Sequence, residues 1–207
     1  MRRQLDSLAW TLDRDRALPR PLAFAARTRA AARRWQWDLR REVVRLLGGF
    51  PAHRAPLAPR VLARRRQPEY VRETVVFQSR EDLTVFGYFL VPRGFIPPGP
   101  CIVCLPGHGR GVSSIVGFDT EGRLRTFGKW GEYQADFALQ CLAHGYAVLA
   151  IEQFGFGRRR DAAARRRGPE DSSCQPASGA ALQFGETMTG WRVWDAMRAL
   201  DYAETRS

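Results

Sequence analysis

The sequence predicts an α/β fold: a mostly parallel sheet, incomplete within these residues, preceded by an N-terminal helical extension. Three observations carry that expectation. Cys101 to Leu105 (CIVCL) is a short apolar run without alternation, as in a strand buried on both faces, and it breaks into the glycine-rich turn Pro106 to Gly111. Tyr146 to Ile151 (YAVLAI) repeats the arrangement and runs into Glu152-Gln153-Phe154-Gly155-Phe156-Gly157. Between them Glu132 to Ala143 reads as a helix, with Tyr133, Phe137, Leu139 and Cys141 or Leu142 on its apolar side and Gly145 at its end. Strand, helix, strand is one right-handed crossover of a parallel sheet.

The elements before this unit are weaker. Residues 1 to about 30 are rich in arginine and alanine and read as a partly ordered extension. From Arg33 to Leu47, Trp35, Leu39, Val43 and Leu46 or Leu47 recur every three to four residues, and Gly48-Gly49 and Pro51 close an amphipathic helix expected to pack on the main domain. Pro51, Pro56, Pro59 and Pro68, with the Arg64-Arg65-Arg66 run, mark an irregular linker, so residues 1–68 are read as extension and linker and residues 69–207 as the main domain. Val71 to Ser79 alternates, Thr84 to Val91 resumes strand character after the turn Ser79 to Asp82, and the two predict an antiparallel hairpin.

Beyond the first glycine loop, Val112 to Gly131 lacks periodicity, and Phe127 and Trp130 within it are candidates for a substrate wall. Residues 158–182 are charged and poor in large apolar side chains, as in an excursion on the ligand-facing side of the sheet. Phe184 to Arg206 is periodic again around Met188, Trp191, Trp194 or Asp195, Met197 or Arg198, and Tyr202, a long helix with Thr187 or Glu186 near its start and Arg206 near its end. An apolar helix with no strand after it leaves a sheet edge unpaired. The sequence therefore reads as the front portion of a larger domain, with self-association through that edge as a consequence.

Composition narrows the function classes. The 207 residues are 44% hydrophobic with a net charge of +12, and Lys129 is the one lysine among 33 basic side chains. Charge alone raises the prospect of an anionic partner only modestly. Cys101 and Cys104 form a C-x-x-C, but a strand turns them to opposite faces, which suits neither a zinc knuckle nor a redox pair. With His53, His108 and His144 scattered, no metal cluster stands out and no cofactor is expected. No segment reaches the roughly 20 apolar residues of a membrane span, and acidic and basic residues interrupt every apolar patch near the N-terminus, so a cytoplasmic protein without membrane attachment is expected.

The runs CLPGHGRG, YAVLAIEQFGFG and FGETMTGWRVWDAMRALDYAETR, in that order and spacing, resemble the α/β-hydrolase superfamily, in particular its dienelactone-hydrolase-like and acetyl-xylan-esterase-like branch. The resemblance covers roughly the last two thirds of the chain. It implies a carboxylic-ester hydrolase acting through a serine, an acid and a histidine on a small-molecule ester. It also implies that the loop Pro106-Gly107-His108-Gly109 lends a backbone N–H to an oxyanion hole, with the N–H groups of His108 and Gly109 as the candidate donors; Pro106 stands where many members carry histidine. Such a donor works because charge develops on the carbonyl oxygen during attack, and an oriented N–H in a dry site stabilises that charge more than the ground state. Arg110 is a candidate for the pocket mouth, or a solvated arginine, and Gln153 and Phe154 are candidates to border the acyl pocket.

The nucleophile expected of that superfamily, a serine in G-x-S-x-G, does not occur. Ser113 and Ser114 follow the glycine loop, Ser178 has no strand leading into it, and His144 sits at a helix end. The 207 residues are expected to lack serine-hydrolase activity by themselves, with the elbow, the acid and the histidine lying beyond Ser207. The rival reading is a non-catalytic basic hydrolase-like protein that binds nucleic acid or another anion through Arg64 to Arg66, Arg158 to Arg160 and Arg165 to Arg167. Those runs lack interleaved aromatic residues, which argues against nucleic acid. A hydrolase scaffold that has lost catalysis is the third reading.

Overall fold

The computed structural model describes residues 5–119, 123 and 134–206. Phe127, Trp130, Glu132 and Tyr133, named above for a substrate wall and a helix start, lie outside them. The chain divides into two compact units, residues 1–46 and 47–207.

In the first unit, α1 (Ser7–Ala17) is capped by Asp6, whose carboxylate accepts the N–H groups of Leu8 and Ala9 at 2.9 and 3.0 Å. The amphipathic segment forms α2 (Arg29–Leu46). Trp35 donates its indole N–H to the Leu22 carbonyl at 2.8 Å and meets Phe24 edge to face, which ties the connecting loop to the helix.

The second unit is built on a five-stranded sheet of order β1-β2-β3-β5-β4. Its strands are β1 (Arg60–Arg66), β2 (Tyr70–Arg80), β3 (Leu83–Pro92), β4 (Cys101–Cys104) and β5 (Ala147–Ile151). The expected hairpin is present: β2 and β3 pair antiparallel from Tyr70↔Pro92 to Arg80↔Leu83. The β4–β5 pairing is parallel, with α3 (Phe137–Ala143) between the two strands in sequence, as the crossover requires.

The expectation of a mostly parallel sheet is overturned. β1–β2, β2–β3 and β3–β5 are all antiparallel, leaving β4–β5 as the parallel pairing among the described residues. The cause is where β5 inserts. It lies between β4 and the meander, and it runs against β3 in the register Gly87↔Ile151 to Leu90↔Val148. A buried apolar run reports burial on both faces and carries no information about strand direction. The linker reading of residues 51–68 is corrected too, because Arg60–Arg66 is the outer strand β1. All of its side chains are exposed, so it shows none of the two-sided periodicity by which strands are recognised.

Each face of the sheet carries its own core. Val76, Phe86, Tyr88, Leu90, Cys104, Val148 and Ala150 pack with Val112, Ile115, Phe118, Ala138 and Leu142 on the α3 side. Val75, Phe77, Val85, Phe89, Leu149 and Ile151 pack with Ala199 and Tyr202 of α6 (Met188–Glu204) on the other. Cys104 belongs to the first cluster and Cys101 lies against the second, so the C-x-x-C does divide across the sheet. Between β5 and α6 the chain forms a 3-10 turn at Gly157–Arg159, α4 (Ala162–Arg167) and α5 (Cys174–Gln183). Thr187 caps α6, accepting the Gly190 N–H at 2.9 Å, and Trp194 is buried with its indole N–H on the Ser79 carbonyl at 2.7 Å.

Candidate active site

Because β4 and β5 are parallel neighbours, the loops that leave them emerge together at the carboxyl ends of the strands, where open α/β sheets place their ligands. The first loop runs from Leu105 into a 3-10 turn at Gly111–Ser114, and the second runs from Glu152 to Arg160.

Partners assigned along the first loop leave a specific set of donors. The Gly107 N–H donates to the Gln134 side-chain oxygen at 2.7 Å, and the Gln134 amide donates back to the His108 carbonyl at 3.2 Å. The Arg110 N–H donates to Ser114 Oγ at 3.0 Å, and the Val112 N–H to Glu152 Oε1 at 2.8 Å. Among the described residues the N–H groups of His108, Gly109 and Gly111 have no protein acceptor. Gly109 has φ +124°, a conformation that side chains avoid, and the His108 ring is exposed and meets Phe156 edge to face at 5.0 Å between centroids.

Glu152 joins the two loops. It is 2% exposed; Oε1 accepts from Val112 in the first loop and Oε2 from the Arg158 N–H in the second at 3.3 Å. Two glycines, Gly111 and Gly157, lie directly against it. A Cβ on Gly111 would lie 2.0 Å from Oε1, and one on Gly157 would lie 1.9 Å from Oε2. Burial pushes the carboxyl up to about 7, against the two N–H bonds and the Arg159 and Arg158 guanidinium charges, which pull it down. A second link is the Gln153 side-chain amide, which donates to the Pro106 carbonyl.

The second loop is anchored to α6. Arg159 Nη1 meets the Glu152 carbonyl at 3.1 Å and Asp195 Oδ2 at 2.5 Å, with both side chains of the ion pair nearly inaccessible. Arg192 grips the Phe154 carbonyl through Nε and Nη2 at 3.0 and 2.8 Å and lies over the Phe156 ring. The Phe154 side chain meets Trp191 edge to face and borders a cleft of about 400 Å³ with Arg160, Ser173 and Ala177.

The sequence-derived candidates are thus dispersed over one end of the sheet. His108, Gly109 and Arg110 share the first loop, and Gln153 reaches it through Pro106. Phe154 lies on the cleft towards α5 and α6. Arg110 pairs with Glu170 at 3.1 Å. Ser113 and Ser114 are buried in the 3-10 turn, and Ser178 sits in α5 against Met188. Sequence reasoning missed Gln134, and it missed that the Glu152 carboxylate holds backbone N–H groups of both loops. The signal for Glu152 was an acidic residue directly after a buried strand and ahead of a G-x-G. Gln134 offered none, standing 26 and 27 residues from its partners. Among the described residues no group of three or more His, Cys, Asp or Glu is placed to hold a metal ion, and no helix is long and apolar enough to cross a membrane.

Comparison with known proteins fits this geometry. A family model described as "Abhydrolase family" matches residues 18–207. A protein of Bacillus subtilis (strain 168) named "Putative hydrolase YtaP" is 28% identical over 174 residues, which are 82% of this chain and 51% of that protein. A crystal structure described as that of a "putative acetyl xylan esterase" from Bacteroides fragilis NCTC 9343 superimposes with a TM-score of 0.78 at 21% identity, covering 98% of this chain and 51% of the other. The chain therefore spans about half the length of the curated relative and of the solved structure that it matches.

Proposed function

The chain belongs to the Abhydrolase family, and on that premise we propose that it supplies the oxyanion-stabilising part of a carboxylic-ester hydrolase, with the N–H groups of His108 and Gly109 as the donors. The observation that carries this reading is the pattern of commitment along the first loop. Gln134 takes the N–H before that pair and Ser114 the one after it, so the loop is held by its flanks while the two successive donors stay uncommitted. Donors held rigidly before reaction stabilise a developing oxyanion without reorganising, and removal of one such donor slows acyl-transfer enzymes by about 10²- to 10³-fold.

The nucleophile, acid and histidine belong, on this reading, to a segment outside these 207 residues, since no G-x-S-x-G occurs within them and each matched relative is covered over only 51% of its own length. The acyl portion of the substrate is assigned to the side bordered by Gln153 and Phe154, and Arg110 to its mouth. The anion-binding alternative draws less support. Arg64 pairs with buried Glu73, Arg159 with Asp195 and Arg167 with Asp171, and Arg160 bonds the carbonyls of Gly157, Gly168 and Asp171.

The test is to express the chain joined to the coding sequence that follows codon 207 and to assay it on short p-nitrophenyl esters. Turnover abolished by changing the serine of a G-x-S-x-G in the added segment, with residues 1–207 alone at background, is expected. Full turnover by residues 1–207 alone, or an inactive longer product, overturns the proposal.

A further inference from the structure

We propose that Glu152 is a positioning residue, whose carboxylate sets the backbone of the loop carrying the His108 and Gly109 donors and locks it to the loop that follows β5. The inference rests on the oxyanion reading for its catalytic meaning and on bonding geometry for its substance.

Glu152 follows directly on β5, and its own N–H donates to the Phe86 carbonyl of β3 at 2.7 Å, so the backbone from which the carboxylate projects is fixed by the sheet. From there the two oxygens diverge, Oε1 to Val112 and Oε2 to Arg158, one N–H from each loop. Val112 begins the part of the first loop that packs into the core, and its side chain is 1% exposed. Moving the carboxylate therefore moves the 3-10 turn at Gly111–Ser114, and through the Ser114 Oγ bond to the Arg110 N–H it moves the end of the donor pair. A Cβ at 111 or 157 would force the Glu152 carboxylate to withdraw from the position in which it holds both loops. A surface carboxylate that merely neutralised an arginine would require neither the burial nor the two glycines.

Two donors on two oxygens are matched by the ionised carboxylate. The protonated acid turns one oxygen into a hydroxyl, and the longer bond, from Arg158 at 3.3 Å, is the one to give way. Other charged and titratable groups face this site. Arg158 and Arg159 come from the second loop, Asp195 of α6 acts through Arg159, and Tyr88 of β3 is raised by burial with a smaller contribution from Glu152. On the first loop Arg110 is paired outward with Glu170, and the His108 ring lies on Phe156. Loss of the Glu152 charge would thus release the donor loop and leave Arg159 with Asp195.

The experiment follows the backbone amide resonances of the 207-residue chain from pH 5 to 9 in the wild type, in Glu152→Gln and in His108→Asn. The Val112 and Arg158 amides are expected to shift together through one midpoint in the wild type and in His108→Asn, and to stay flat in Glu152→Gln, where the Gly109 amide is displaced. Static Val112 and Arg158 amides in the wild type, or a titration that vanishes with the His108 imidazole, overturn the proposal. The wild-type and His108→Asn series decide this even where Glu152→Gln does not fold. In the longer product, Glu152→Gln should lower kcat about 10- to 100-fold with KM within about 2-fold, the signature of a misplaced donor rather than weakened binding. A raised KM at unchanged kcat counts against it. Absence of ester turnover with the amide titration intact would sink the oxyanion reading and leave the Glu152 clamp standing.

Discussion

Replacing Gly111 with alanine tests the closeness of the two loops most directly. Gly111 has φ +63°, and the new Cβ would sit 2.0 Å from Glu152 Oε1 and 2.8 Å from its Cδ. The left-handed conformation costs an L-residue about 1–2 kcal/mol. Relief of the overlap requires the carboxylate to withdraw from the Val112 N–H, and a buried donor left without its acceptor costs about 1–3 kcal/mol more. Gly111→Ala should therefore destabilise the chain by about 2–5 kcal/mol, a fall in Tm of roughly 5–15 °C for a domain of this size. Gly145→Ala is the control. That position has φ +84° and nothing within 4 Å of the added Cβ, so it isolates the backbone contribution. Urea and thermal unfolding of both variants at pH 8 should separate them, and Glu152→Ala placed on Gly111→Ala should recover about 1–3 kcal/mol as a coupling energy. Equal destabilisation by the two alanines, or strict additivity with Glu152→Ala, would refute the clamp geometry.

Asp195→Ala removes the partner of Arg159 from a pair whose side chains are 6% and 3% exposed, and stranding that charge should cost about 3–5 kcal/mol, read as a lower urea midpoint. Asp195→Ala and Arg159→Met combined should be less destabilised than Asp195→Ala alone; a double variant as unstable as the single one would show that the pair was not the cause. Glu152 gives stability a pH dependence of defined sign. Burial raises its carboxyl from 4.5 to about 7, so the folded chain keeps a proton that the unfolded chain releases. Its contribution is fully present below about 4.5 and is lost as pH rises through about 7, amounting to about 3 kcal/mol. The stability of wild type relative to Glu152→Gln should accordingly fall by that amount between pH 4.5 and 8 in urea unfolding, and an unchanged difference would contradict it.

What the sequence discloses and what it conceals divide along physical lines. Burial is written locally for AVLAI, which is apolar throughout and buried at every position of β5. CIVC, equally apolar, forms β4 at the edge of the described sheet with Cys104 alone of its four residues fully buried and Leu105 exposed, because burial also depends on which neighbours a strand acquires. The long helix ending near Arg206 is legible from the spacing of Met188, Trp191, Trp194 and Tyr202, of which Trp194 and Tyr202 lie on its buried side. Strand direction is not local, because it depends on which neighbour a strand meets, and β5 meets β3 as well as β4. β1 was hidden because RVLARRR has exposed side chains throughout and is held in the sheet by backbone bonds and by contacts such as Arg64 with Glu73. At the site, the glycine loop and its place after a strand were readable. The groups that tune it were not, since Gln134 and Asp195 find their partners only once α3 and α6 have packed. The arginine runs are conspicuous as charge, whereas the partners of Arg64 and Arg159, Glu73 and Asp195, are distant in sequence and cannot be read from it.

Glu152 shows why a close reading of energetics can separate function from architecture here. A side chain selected for stability alone would not place a carboxylate where burial penalises its charged form, nor require two glycines that forgo the conformational restriction of a side chain. A buried hydrophobe of similar volume with alanines around it would satisfy the core without any of these costs. Only the ionised carboxylate, however, offers an acceptor to each loop at once, and that is the form which burial disfavours near neutral pH. Expense concentrated at one residue, at the end of a strand and between two glycine loops, is what a preorganised site would produce. The pH series on Glu152→Gln distinguishes the two origins: a stabilising substitution at pH 8 that also unsettles the Gly109 amide would mark the carboxylate as kept for the loop, whereas a destabilising one at every pH would mark it as part of the scaffold.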